Sequence, residues 1–358
     1  MISYVQTVST LQSLLTRQRT TTDMTKLMLQ AEVEVSTGRH ADPYAALGSR
    51  SIEAMSTRAA YERTLGRIES NTLLQNRLDL MATSLSNVRE AAQEVLTMAM
   101  TNQDPSSASP QYMKDLARDA YDTIASFLNA GYNGKSLFGG VASDKTPVNT
   151  WGKANGTTGY SPADVMAGIV GGGITDAADA AAKLAQVDAV FNGTPGDPAT
   201  AYEQTFYSGS PLMTGATPTP RLNAQIDDNF EINYGVQAND QGFRDLMRGL
   251  AMIASGDPAT ISDPDAYKAW VGAATKALSS GVSAVLSAES RTGSMQKQVE
   301  DATTRLSAKR DVYSLHISDL ESVDPYVAAT KLTSVETQLQ ASYAVTARLA
   351  QLSFLNFM

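Results

Sequence analysis

The sequence predicts a mainly α fold. Its N- and C-terminal halves form a long antiparallel coiled coil or helical bundle, and a small β-rich domain is inserted between them. Three observations predict this. Apolar or small residues recur in steps of three and four from Thr292 to Phe357. A regular heptad seam runs from Leu74 to Ala99. Composition then shifts towards Gly, Ala, Thr, Pro and Asp between Val141 and Asp228. Residues 1–41 with 323–358 read as a terminal coiled-coil assembly domain. Residues 42–140 with 240–322 read as a helical bundle, and 141–239 as an inserted, β-rich outer domain.

The C-terminal seam passes through Thr292, Met295, Val299, Ala302, Leu306, Tyr313, Leu320 and Val323. It resumes after Asp324-Pro325 with Leu332, Val335, Leu339, Tyr343, Leu349, Leu352 and Leu355. Asp324 suits a helix N-cap, and Pro325 suits the first helical position, where its missing N–H is not needed. Two rods joined end to end are expected. At the other end of the chain Val5, Val8, Leu11 and Leu15 form an apolar stripe, continued less regularly by Leu27, Ala31 and Val35. The intervening Arg17–Asp23 stretch is polar and threonine-rich. It reads either as a solvated face or joint, or as a segment that orders against neighbouring subunits.

Gly38 should end the first rod. Asp42-Pro43 then mirrors Asp324-Pro325, so antiparallel pairing of the termini brings the two joints to one height. These stripes exceed what one chain buries locally. Val5, Val8, Leu11, Leu15, Leu332, Leu339, Leu349, Leu352, Phe354, Leu355 and Phe357 are therefore the expected assembly interface. Each such side chain is worth about 1.5–3 kcal/mol when buried.

Between the ends, Leu74, Leu78, Met81, Leu85, Val88, Ala92, Val95 and Ala99 alternate steps of four and three. Ile52, Met55 and Ala59 precede them in a shifted phase. Pro110 opens another helix carrying Met113, Leu116, Ala117, Tyr121, Ile124 and Leu128. In the insert, Ala201–Tyr207 and Phe230–Val236 alternate as strands do, and Asp176–Val190 reads as an alanine-rich helix. Helices return at Asp240, with Phe243, Leu246, Met247, Leu250 and Ile253 on one face. They continue through Tyr267, Val271, Ala274, Leu278, Val282 and Val285.

Chemistry is sparse. The net charge of −9 argues against nucleic-acid binding, and the absence of cysteine excludes disulfides and thiolate sites. His40 and His316 lack any metal-ligand spacing. Gly171-Gly172-Gly173 and Gly134-Lys135-Ser136 fail the phosphate-loop pattern. Asp227, Asp228 and Asp240 read as a solvated acidic loop or a cation-binding group. No cofactor, metal site or catalytic residue is expected. The opening residues lack a secretory-signal pattern, and no run reaches the roughly 18 apolar residues that cross a bilayer.

Asn133-Gly134-Lys135-Ser136-Leu137-Phe138-Gly139-Gly140 resembles the Asn-Gly-x-x-Leu-Phe-Gly-Gly segment of the flagellin superfamily, particularly its hook-associated branch. Ala328–Tyr343, Thr346–Leu349 and Leu352–Phe357 are similar to the C-terminus of that branch, and Tyr234–Phe243 also resembles the family. The likeness spans both helical halves, with Asn133, Gly134, Leu137, Phe138, Gly139 and Gly140 as its motif residues. It implies a structural adapter rather than an enzyme: a ring of subunits at the hook–filament junction, joining the first hook-associated protein to the flagellin filament. Flagellin itself is the alternative. The resemblance further implies export through the flagellar type III apparatus without a cleaved signal, and a cytoplasmic chaperone holding the C-terminal helix beforehand. Membrane insertion is not expected.

Overall fold

The computed structural model describes residues 10–105, 109–256 and 260–355; the side chains at 10, 11, 13, 14 and 349–355 lie outside that description. The helices are α1 (Thr10–Thr37), α2 (Pro43–Leu47), α3 (Ser51–Thr101), α4 (Pro110–Leu128), α5 (Pro162–Val170), α6 (Ala177–Asn192), α7 (Gln241–Ser255), α8 (Pro264–Glu321) and α9 (Pro325–Leu355). The strands form three antiparallel pairs: β1 (Gly131–Tyr132) with β2 (Lys135–Ser136), β3 (Met213–Thr214) with β4 (Thr217–Pro218), and β5 (Asn223–Asp227) with β6 (Phe230–Asn233). The chain divides into two compact units. One comprises Met1–Gly66 with Leu306–Met358, the other Arg67–Arg305.

The fold is thus mainly α, with small antiparallel strand pairs, as the patterning predicts. In the Arg67–Arg305 unit the heptad seam of α3 is buried throughout, from Leu74 to Ala99. Its later positions join Met113, Ala117, Tyr121, Ile124 and Leu128 of α4, and Phe243, Leu246, Met247, Leu250 and Ile253 of α7, in one core. Helices α7 and α8 meet through glycine: a Cβ on Gly281 would lie 2.7 Å from the Leu246 backbone. Asp263 caps α8, its Oδ1 accepting from the Asp265 and Ala266 amides. A smaller cluster of Leu74, Leu78, Val299 and Ala302 is roofed by Ile226, Ile232 and Tyr234 of the β5/β6 segment. Asn71 fixes that hairpin by donating to the Ile226 carbonyl at 2.9 Å.

The 141–239 stretch holds the longest strand pair, β5/β6, together with two helices. Asp176 caps α6 as its sequence suggests, accepting from Ala178 and Asp179, and Gly193 ends it with φ 78°. One expected strand is overturned. Residues Tyr202–Phe206 form a π-helical turn, followed by a single antiparallel bridge from Tyr207 to Val148. Tyr202 and Phe206, four residues apart, are both buried, together with Thr205. A strand would send Thr205 and Phe206 to opposite faces; one helical turn lets Tyr202, Thr205 and Phe206 share a side.

In the terminal unit both joints form as their sequences suggest. Gly38, at φ 68°, ends α1. Asp42 caps α2 through Ala45, and Asp324 caps α9 by accepting from the Tyr326 amide at 2.8 Å. The joints lie side by side: Arg39 and Ser322 form an antiparallel bridge, flanked by His40 N–H donating to Glu321 O and Val323 N–H donating to Gly38 O, both at 2.9 Å. Glu321, 3% exposed, receives Arg58 Nε at 3.1 Å. The threonine-rich Arg17–Asp23 stretch stays within α1, where Thr20 and Thr22 bond back to carbonyls four residues earlier. It continues the helix rather than forming a joint, and every residue of it except the half-buried Thr21 is exposed.

Candidate assembly interface

Helices α1 and α9 run antiparallel. Lys331 donates to Glu34 at 2.9 Å near the joint, and the Thr21 and Ser342 hydroxyls lie 3.5 Å apart further along. The inward face of α1 is set by Thr21, Met24, Met28, Ala31 and Glu34, spaced by three or four residues, and that of α9 by Ala328, Leu332, Val335 and Leu339. The α1 stripe read from sequence needs correcting here. Leu27 and Val35 are exposed, whereas Met24 and Met28 are half-buried. Ala31 keeps its expected place, and Met24 and Met28 precede it at steps of four and three. Tyr343, placed on the α9 stripe, is 54% exposed.

Of the expected interface residues, Leu339 is buried, Leu332 half-buried and Leu15 49% exposed. Leu11, Leu349, Leu352 and Leu355 lie on the helices, as does Phe354, with their side chains outside the description. Val5, Val8 and Phe357 fall outside the described residues. The seam is thin: Ala31, Glu34, Ala328, Val335 and Leu339 are the buried positions among the described side chains of the two helices. Leu15, Leu29 and Val33 occupy the opposite side of α1 and remain exposed. A seam with so little buried apolar area opens cheaply. Amides of 15–37 and 326–348 are therefore expected to exchange in the secreted monomer at least about tenfold faster than those of α4 and α7. Hydrogen-exchange mass spectrometry reads this directly, and equal protection would refute it.

Glu34 is the charged group within the seam. Besides Lys331, it accepts from the Ala41 amide at 3.4 Å and faces His40 Nδ1 at 3.8 Å. Burial pushes its carboxyl pKa up. The Lys331 hydrogen bond, the Ala41 amide and the Lys331 and His40 charges outweigh that, holding it below the ordinary value. A folded pKa below the unfolded one stabilises pairing above about pH 4.3, and this stabilisation is lost as pH falls through the folded value. Because the chain lacks cysteine, spin labels at Lys26→Cys and Gln338→Cys can report the pairing. Their separation is expected to broaden as pH falls below the ordinary glutamate range, and Glu34→Gln should blunt that response.

The Asn133–Gly140 motif lies in the Arg67–Arg305 unit and has a packing role. Asn133 (φ 50°) and Gly134 (φ 72°) form the two-residue turn between β1 and β2, where left-handed backbone matches strand twist. Leu137 and Phe138 then enter the core, both fully buried. Phe138 O accepts from the Ala238 amide at 3.0 Å, and its ring lies 6.4 Å from that of Phe243. Gly140, at φ 66°, admits no side chain: a Cβ would stand 2.5 Å from Gln237 Nε2. Two segments distant in sequence, 133–140 and 234–243, thus close on each other.

Arg244 completes this closure. Its guanidinium donates to Asn239 O at 2.8 Å, to Phe191 O at 3.1 Å and to Glu203 at 2.6 Å, and lies over the Tyr202 ring. Sequence reading missed this residue, whose charge on an otherwise apolar helix face was the available signal. Two of the three acidic residues considered for a cation are ion-paired: Asp240 with Arg221 and Asp227 with Arg305. Among the described residues no group of three or more His, Asp or Glu side chains is placed to hold a metal, and no helix is long and apolar enough to cross a membrane.

Paired terminal helices and a buried closing motif define a mainly helical subunit. Two family models match: the bacterial flagellin N-terminal helical region over residues 8–143 and the bacterial flagellin C-terminal helical region over residues 275–358. The chain belongs to the bacterial flagellin superfamily, and is a structural subunit of the flagellum. Proteins of this family are structural rather than enzymatic, are exported to the extracellular flagellum and self-assemble into flagellar polymers. No curated protein matches the chain significantly.

Proposed function

We propose that the chain is the hook–filament junction adapter, assembling as a ring between the first hook-associated protein and the flagellin filament. The observation that carries this reading is the end of the sequence, Phe354-Leu355-Asn356-Phe357-Met358. It fits the hook-associated branch better than the Leu-Ser-Leu-Leu-Arg-like end common in flagellins. In this reading the apolar stripes of α1 and α9, Leu15, Leu332, Leu339, Leu349, Leu352 and Leu355 among them, gain most of their burial from neighbouring subunits. The subunit leaves the cell through the flagellar type III apparatus without a cleaved signal, and a cytoplasmic chaperone covers α9 until export. Flagellin is the second reading, favoured by the matches to flagellin's two helical regions.

Location separates the two. Ala216 is exposed between β3 and β4 and there is no native cysteine, so Ala216→Cys accepts a maleimide dye or gold cluster cleanly. An adapter gives one short band at the distal end of the hook. Label along the whole filament would reject the adapter in favour of flagellin.

A further inference from the structure

The closure of 133–140 on 234–243 buries more polar atoms than it pairs. Gln237 is 1% exposed, and neither its Oε1 nor its Nε2 has a hydrogen-bond partner among the described residues. Turning the amide over exchanges one unpartnered atom for the other and relieves nothing. Asn239 is fully buried. Its Nδ2 donates to Ser210 O at 3.0 Å and to Glu203 Oε1 at 2.6 Å, which fixes the amide and leaves Oδ1 without a donor among the described residues. The buried Tyr207 hydroxyl has no acceptor for its proton among them either. The Ser210 amide beside it donates to Gly139 O at 2.9 Å.

These groups converge around Ser210. A Cβ on Gly140 would lie 2.5 Å from Gln237 Nε2 and 3.0 Å from Ser210 Cβ, and a Cβ on Gly209 would meet both the Tyr207 hydroxyl and Gly139 O. Glycine at both positions lets the polar ends of Gln237 and Tyr207 approach the backbone. A buried donor or acceptor left dry costs its full desolvation. Folded proteins commonly satisfy such groups with an ordered water that makes about three hydrogen bonds.

We infer that this closure binds ordered water, held by the Gln237 amide, Asn239 Oδ1 and the Tyr207 hydroxyl, as a built-in part of the fold. The chemistry of these groups selects water. Asn239 Oδ1 needs a donor, whereas Tyr207 O–H and Gln237 Nε2 need acceptors, and water is both. A cation would sit against the Arg244 guanidinium, which is bonded to Asn239 O. An anion would face Asn239 Oδ1 and the Glu203 carboxylate bonded to Asn239 Nδ2. The inference holds wherever in the flagellum the subunit sits.

Two conservative variants of the full-length chain, Tyr207→Phe and Gln237→Met, remove the polar atoms with little change of volume. Both are expected to lower the urea midpoint, because each takes away bonds to the water. Dry, unpaired groups give the opposite result: deleting one leaves the midpoint unchanged or raises it, and that would contradict the inference. A crystal structure of the full-length chain at about 1.8 Å resolution decides the cause. The expected result is a water oxygen at about 2.7–3.2 Å from the Gln237 amide and from Asn239 Oδ1 or Tyr207 Oη, absent when Gln237→Met is crystallised. Direct bonds among the three side chains with no water between them would overturn the inference even if the midpoints fall. So would a cation in that place, recognised by oxygen contacts of about 2.3–2.6 Å.

Discussion

Replacing Phe138 by Ala is expected to destabilise the Arg67–Arg305 unit by about 3–5 kcal/mol. The ring is fully buried, its carbonyl holds the Ala238 amide, and neighbouring Gly139 and Gly140 leave no side chain free to fill the cavity. Phe138→Leu retains most of the volume and should cost less than about 1.5 kcal/mol. Urea denaturation followed by tyrosine and tryptophan fluorescence reports on this unit, which contains Trp151 and Trp270. A loss below about 1 kcal/mol for the alanine variant would show that the 133–140 turn is not a keystone of the core.

Arg244→Met is expected to cost about 3 kcal/mol, at the lower end of the range for breaking a buried ion pair, because the Glu203 carboxylate keeps partial contact with water. The substitution leaves the Asn239 and Phe191 carbonyls without their guanidinium donor. Glu203 retains the Asn239 amide and the Leu212 N–H, which limits its loss. Adding Glu203→Gln removes the uncompensated charge and should recover part of the stability. A double-mutant cycle measures the coupling, and additive losses would show that the pair contributes no specific linkage.

The long helices were legible because their periodicity extends over many turns. Every residue of the Leu74–Ala99 heptad is buried, and the Asp-Pro pairs start helices as their chemistry requires. Short-range alternation was less informative. Ala201–Tyr207 has β-like composition, yet burying Tyr202, Thr205 and Phe206 together favours a π turn. In α1 the expected stripe holds at Ala31, which is buried, whereas Leu27 and Val35 face outward and the half-buried Met24 and Met28 take inward positions instead. Pairing of the two joints could be anticipated from their equivalent positions in the chain. The bonding of Arg244 to Phe191 and Glu203 joins segments 53 and 41 residues apart, beyond the reach of local pattern.

The adapter reading is tested most directly by electron microscopy of cells lacking this gene, with flagellin assayed in the culture medium. Hooks ending in the first hook-associated protein and bare of filament, with flagellin monomers lost to the medium, are the predicted result. Filaments of ordinary length on those cells would contradict it.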